Sequence, residues 1–111
     1  MAEIKAEIIN ILRRYLDDVE GICHVDKAFI FGSHAHGRAG KHSDIDMAIF
    51  SRNVNDDNRL EIMTQAIALI NKFKIDIQPL IFSYEDYMSE DNDFISNEIK
   101  KNGFELVAES H

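Results

Sequence analysis

Between Ile4 and Val19 apolar residues return every three or four positions: Ile4, Ile8, Ile11, Leu12, Tyr15, Leu16 and Val19. Glu3, Lys5, Arg13, Arg14 and Asp17 fill the gaps. That period is the buried stripe of an amphipathic helix, and Gly21 is suited to end it. The pattern then tightens into short apolar runs, which predict strands over Lys27–Phe31, Asp44–Phe50 and Ile75–Phe82. A second helix is predicted over Asp57–Phe73, on Leu60, Ile62, Met63, Ile67, Leu69 and Ile70, with Asp56 or Asp57 as its cap. Ser83 is placed to cap a short acidic helix containing Tyr84 and Tyr87. A last helix is predicted over Asp93–Lys101, ended by Gly103, with an apolar tail of Phe104, Leu106 and Val107 that must dock.

The predicted order is helix, strand, turn, strand, helix, strand, helix, helix. The first two strands are joined by too little chain for a helical crossover, so they are expected to be antiparallel neighbours. The second helix can cross over to the third strand, which predicts a parallel pair. The expected fold class is α/β (α+β): a small mixed sheet of three or more strands flanked by helices.

The length of 111 residues suits one domain, residues 1–111. Twelve basic against twenty acidic residues give a net charge of −8, which argues against broad nucleic-acid binding. No apolar run approaches the roughly 18 residues of a membrane span, so no membrane association is expected. A single cysteine, Cys23, excludes an internal disulfide and makes the reducing cytoplasm the expected compartment.

Candidate chemistry is concentrated between Phe31 and Asp46. Side chains alternate across a strand, so Asp44 and Asp46 share a face and could hold a hard cation through oxygen. Taken alone, Asp-x-Asp is weak evidence and is usually just an exposed pair on a solvated strand face. Gly32-Ser33 falls where a strand turns into a possible helical turn. Glycine lets the backbone come close to a ligand there, and unpaired amides with the Ser33 hydroxyl suit phosphate. An ordinary turn reads the same way. Gly37 frees the chain to fold back, and Arg38, Lys41 and His42 form a small basic cluster in an acidic chain. Asp76, within the third predicted strand, would need a partner such as a metal to offset desolvation, unless it lies open to water.

Gly32-Ser33-x-Ala35-x-Gly37, a five-residue gap, Ser43-Asp44-x-Asp46 and the later Asp76 together resemble the nucleotidyltransferase superfamily of the DNA polymerase beta type. More closely, the chain resembles the minimal nucleotidyltransferases, the stand-alone MNT domains, over nearly its whole length. The resemblance implies the nucleotidyltransferase fold, ATP as substrate and two Mg²⁺ ions. It implies metal and catalytic roles for Asp44, Asp46 and Asp76, the last also helping to deprotonate the attacking hydroxyl. The nucleotide-binding set it implies is Gly32 and Ser33 on the β- and γ-phosphates, with Gly37, Arg38, Lys41 and Ser43. It further implies an antitoxin that transfers AMP to a tyrosine of a partner HEPN-domain toxin. The alternative is an antitoxin that neutralises the toxin by contact alone, and a third reading is transfer to a small molecule. One position departs from the pattern: His36 stands where many relatives carry arginine, and a neutral imidazole grips phosphate less firmly than a guanidinium fork.

Other readings carry less. Cys23, His24, His34, His36 and His42 do not match the spacing of paired zinc ligands. Cys23 is better read as a small buried residue. The acidic stretch around Tyr84 and Tyr87 reads as a solvated helix face or as a docking site for a basic partner.

Overall fold

The structure is a computed structural model that describes residues 6–32, 44–73 and 75–106. Helix α1 covers Ala6–Val19 and presents Leu12, Tyr15, Leu16 and Val19 to the core, as its periodicity predicts. Strand β1, Lys27–Phe31, pairs antiparallel with β2, Ile45–Ser51. Helix α2, Arg59–Ala68, tightens into a 3₁₀ turn over Leu69–Lys72. It carries the chain to β3, Ile77–Ser83, which runs parallel to β2. Helix α3, Tyr84–Met88, and a π-helix, Phe94–Lys101, follow. Of the apolar tail, Phe104–Glu105 forms β4, antiparallel to β1, Leu106 is buried just after it, and Val107 lies outside the described residues. The sheet order β3-β2-β1-β4 is therefore mixed, as expected, with one strand more than the three identified from the pattern.

Alternation along the strands gives the sheet two apolar faces. Ala28, Ile30, Ile45, Met47, Ile49, Ile77 and Ile81 pack with α1 and with Ile62 and Ala66 of α2. Phe29, Phe31, Ala48, Phe50 and Phe82 pack instead with Ile95 and Ile99 of the π-helix. Tyr87 stacks on this second face, 5.1 Å from the Phe50 ring centre and 6.1 Å from that of Phe29. Lys100 donates to the Tyr87 carbonyl at 2.8 Å and lies over its ring, tying α3 to the π-helix. Across the first face, the buried Tyr15 hydroxyl donates to the Ala66 carbonyl at 2.8 Å and joins α1 to α2. Burial pushes that phenol's pKa far above its ordinary value.

Several boundaries differ from the pattern for local reasons. The cap of α2 is Asn58, not Asp56 or Asp57. Asn55 Oδ1 accepts from the backbone N–H groups of Asp57 and Asn58, so a side-chain turn sets up the helix start. Leu60 and Ile67 follow the apolar period of α2 yet are 76% and 49% exposed. Ser83 does cap α3, accepting from the Asp86 N–H. Cys23 is buried and unpaired. Edge strand β3 is shielded against further pairing: Pro79 has no N–H, and Arg59 Nε donates to the Ile81 carbonyl at 2.7 Å. No helix among the described residues is long and apolar enough to cross a membrane.

The end of the β1–β2 pair nearest Lys27 is closed by charge. Asp26 accepts from the Arg52 backbone N–H at 2.7 Å and from its guanidinium at 2.6 Å. His24 also lies 3.4 Å from this carboxylate. Burial raises the Asp26 pKa, but the Arg52 hydrogen bonds and charge outweigh that and hold the carboxyl below its usual range. A lowered folded-state pKa contributes stability that is present above the unfolded value and lost as pH falls through the folded one. Urea unfolding at a series of pH values should show stability declining below about pH 4 to 5, near the free carboxylate range. Asp26→Asn should be less stable than the parent at pH 7 and should decline less steeply in acid; superimposable pH curves would contradict this account.

Candidate functional site

Opposite that charged closure lies the end of the sheet where β1 stops and β2 and β3 begin. Asp46 sits in β2, paired in register with Phe31 on one side and Gln78 on the other. It is half-buried, while Asp44, just before β2, is exposed. Both have the parity of Ala48 and Phe50, so they belong to the face that the π-helix and α3 cover farther along. There the cover is apolar; at this end the same face turns to carboxylates.

Gly32 follows β1 with φ of +78°, a backbone geometry that favours glycine. A Cβ at this position would run into the Asp46 carboxylate. The missing side chain is therefore what lets Asp46 lie against the β1 backbone. The glycine expected from sequence to allow close approach does so first for a carboxylate of its own chain.

Asp76 stands immediately before β3, not inside it, and is exposed to water. The desolvation argument for a buried carboxylate there does not apply. Its carbonyl accepts from the Ile45 N–H at 2.9 Å, which extends the β2–β3 ladder one step and sets Asp76 beside the Asp44 end of β2. The remaining sequence-predicted residues, Ser33, Gly37, Arg38, Lys41 and Ser43, lie outside the described residues. So do His34, His36 and His42.

Hard carboxylate oxygens on one face suit Mg²⁺ by their chemistry. Among the described residues, however, no group of three or more His, Cys, Asp or Glu side chains stands close enough to hold a metal ion. The three-carboxylate cage expected from sequence is thus not assembled among them. Mg²⁺ ordinarily takes one or two carboxylates and completes its octahedron with water and substrate phosphate. Asp44 and Asp46, on one strand face, are the described residues that could supply such carboxylates, and the Asp46 carboxylate lies against Gly32.

Two features here were not read from sequence. A cleft of about 430 Å³ opens beside Asp46 and Gln78, walled by Met63 and Ile67 of α2, Ile70 of the 3₁₀ turn and Pro79. This explains the exposed apolar Ile67: the stripe of α2 extends past the core to form a cleft wall. The second feature is Gln78, whose Nε2 donates to Asp44 Oδ2 at 3.4 Å. Its strand alternation with Asp76 was the available signal.

The model of the family described as polymerase beta, nucleotidyltransferase matches residues 6–110. No curated protein is significantly similar in sequence. Among solved structures, a toxin–antitoxin crystallised with AMP-PNP is 18% identical, with a TM-score of 0.60 over 92% of this chain and 74% of that one. A mutant of the MntA-HpeT toxin–antitoxin, with two aspartates two positions apart changed to glutamate, is 16% identical, with a TM-score of 0.59 and the same coverage. A nucleotidyltransferase structure from Sulfolobus solfataricus, at 15% identity and a TM-score of 0.58, covers 95% of this chain and 89% of its own. These likenesses establish the shared nucleotidyltransferase fold.

Gly32→Ala should cost about 1–3 kcal/mol, from left-handed backbone strain and displacement of Asp46. For a domain of this size that lowers Tm by roughly 5–15 °C. A melting curve within about 1 °C of the parent would show that neither constraint operates.

Proposed function

The chain belongs to the polymerase beta nucleotidyltransferase family, and from that premise we propose that it is a Mg²⁺-dependent adenylyltransferase acting as the antitoxin of a cytoplasmic toxin–antitoxin pair. Its acceptor is a hydroxyl, a tyrosine in the first instance, of a partner toxin of the HEPN class. The observation that carries this reading is the gathering of Gly32, Asp44 and Asp46 at one sheet end, with Asp76 on the adjoining ladder. The fold relatives support it: two are toxin–antitoxin structures, one crystallised with AMP-PNP and one altered at two aspartates two positions apart.

The roles follow from chemistry. Asp44 and Asp46 would hold Mg²⁺ together with the triphosphate, and the cation, when bound, would supply charge neutralisation and polarisation at the reacting phosphorus. Gly32 leaves the β1 terminus without a side chain beside that charge, and the Ser33 hydroxyl and the basic loop with Arg38 and Lys41 grip the phosphates. Asp76, open to water, accepts the proton of the incoming hydroxyl. The hydroxyl oxygen bonds to the α-phosphorus, the bond to the β-phosphate bridging oxygen breaks, and pyrophosphate leaves.

The test is transfer of label from α-³²P-ATP to the co-purified partner toxin. Label should appear only with Mg²⁺, and Asp44→Asn should lower the rate roughly a hundredfold or more, since it removes a cation-binding charge worth several kcal/mol in the transition state. Neutralisation of the toxin by an unlabelling variant, at parental strength, would favour the contact-only antitoxin instead.

The same Asp44→Asn variant should keep its fold, because Asp44 is exposed and its removal relieves carboxylate repulsion. Without Mg²⁺, its stability should match or slightly exceed the parent's, within about 0.5 kcal/mol. A collapse in melting temperature would mark Asp44 as a structural residue.

A further inference from the structure

We propose that Gln78 is a positioning residue that orients the Asp44 carboxylate toward the cation, an inference that rests on the nucleotidyl-transfer reading above. Gln78 pairs in register with Asp46, and its side chain reaches diagonally across the β2–β3 pair to Asp44, with Nε2 3.4 Å from Oδ2. Diagonal neighbours across a ladder lie about 7–8 Å apart, a span that long side chains bridge. Asparagine, one methylene shorter, falls short of it.

The chemistry of the contact is one-sided. A carboxylate offers only acceptors, so the amide must present its NH₂ group to Asp44. One oxygen of Asp44 is then engaged and the other is left to face a cation. Asp44 is exposed, so water can replace this bond, but water does not fix a rotamer. Hydrogen bonds from outer residues that orient metal-binding carboxylates set affinity in this way, and removing one costs about 10- to 100-fold.

Residue type and place agree. Gln78 lies among Asp44, Asp46 and Asp76, where a carboxylate would add like-charge repulsion and an apolar side chain would supply no donor. It also lines the cleft that holds Asp46. Its neighbours of opposite parity, Ile77 and Pro79, are buried, so the register of β3 does not depend on the amide.

The test measures Mn²⁺ binding to the intact chain by electron paramagnetic resonance, with a non-hydrolysable ATP analogue present. Gln78→Leu and Gln78→Asn should each weaken Mn²⁺ binding about 10-fold, while melting temperature and metal-free analogue binding stay as in the parent. In an Asp44→Ala background, Gln78→Leu should have no further effect, which separates action through Asp44 from a general structural one. Equal Mn²⁺ affinity in the parent and both variants would overturn the assignment and leave the nucleotidyl-transfer reading standing. So would a loss of analogue binding without Mn²⁺, since Gln78 would then touch nucleotide directly. If the parent itself binds no Mn²⁺ with the analogue, the transfer reading fails and this assignment goes with it.

Discussion

The alternation of β2 is the constraint on which the rest depends. One strand must bury Met47 and Ile49 under the first helical layer and Ala48 and Phe50 under the second. Only one register satisfies both layers, because a slip of one residue would exchange the faces. That register also places Asp44 and Asp46 on the second face, beyond Ala48. Carboxylates are tolerated there because Ile95 and Ile99 cover the strand farther along, not at its start. The core thus aims the carboxylates through the strand's own geometry.

Topology then decides what meets them. In open α/β sheets, ligands commonly sit beyond the carboxyl ends of the parallel strands. The candidate site here lies at the amino ends of the parallel pair β2–β3 and at the carboxyl end of β1. The antiparallel step from β1 to β2 brings this about, by setting the glycine that ends one strand beside the aspartate that opens the next. A Cβ at residue 32 would push the Asp46 carboxylate aside, and the left-handed backbone there strains any residue but glycine. A device that reads from sequence as a phosphate turn is therefore also a packing contact.

Much of this was legible in the sequence, and the misses have physical causes. The limits of β1 came out as predicted, since Asp26 and Gly32 punctuate it on either side. Ile75 extends the apolar run and so draws Asp76 into the predicted third strand, yet β3 proper opens at Ile77 and Asp76 joins the ladder through its carbonyl alone. Leu60 and Ile67 mark the apolar period of the second helix and yet are exposed, because periodicity records that a stripe is apolar and not what it faces. Strand β4 has two residues and so no period at all. The π-helix was read as an ordinary helix because Ile95 and Ile99, its buried residues, keep the spacing an α-helix would show. Alternation with Asp76 puts Gln78 on the same strand face, but its place beside Asp44 and Asp46 is set by pairing across the sheet, which the sequence does not display.

Charge ties these pieces to the proposed chemistry. A chain of net charge −8 that gathers aspartates at one sheet end repels a free triphosphate. At a separation of about 4 Å, a like-charge pair near a protein surface costs on the order of 4 kcal/mol, more than a single hydrogen bond from a backbone amide or hydroxyl returns. On the proposed reading, a cation that the phosphates and water also ligate would offset this repulsion, so a triphosphate would settle beside Asp44 and Asp46 more tightly with the cation than without it. The two binding events are coupled by electrostatics before any specific contact is considered. In this light the orientation of a single carboxylate matters more than the number of carboxylates. On the proposed reading, Asp46 lying against Gly32 and Asp44 within reach of the Gln78 amide would present a pair of carboxylates to the cation, where three do not group closely enough among the described residues.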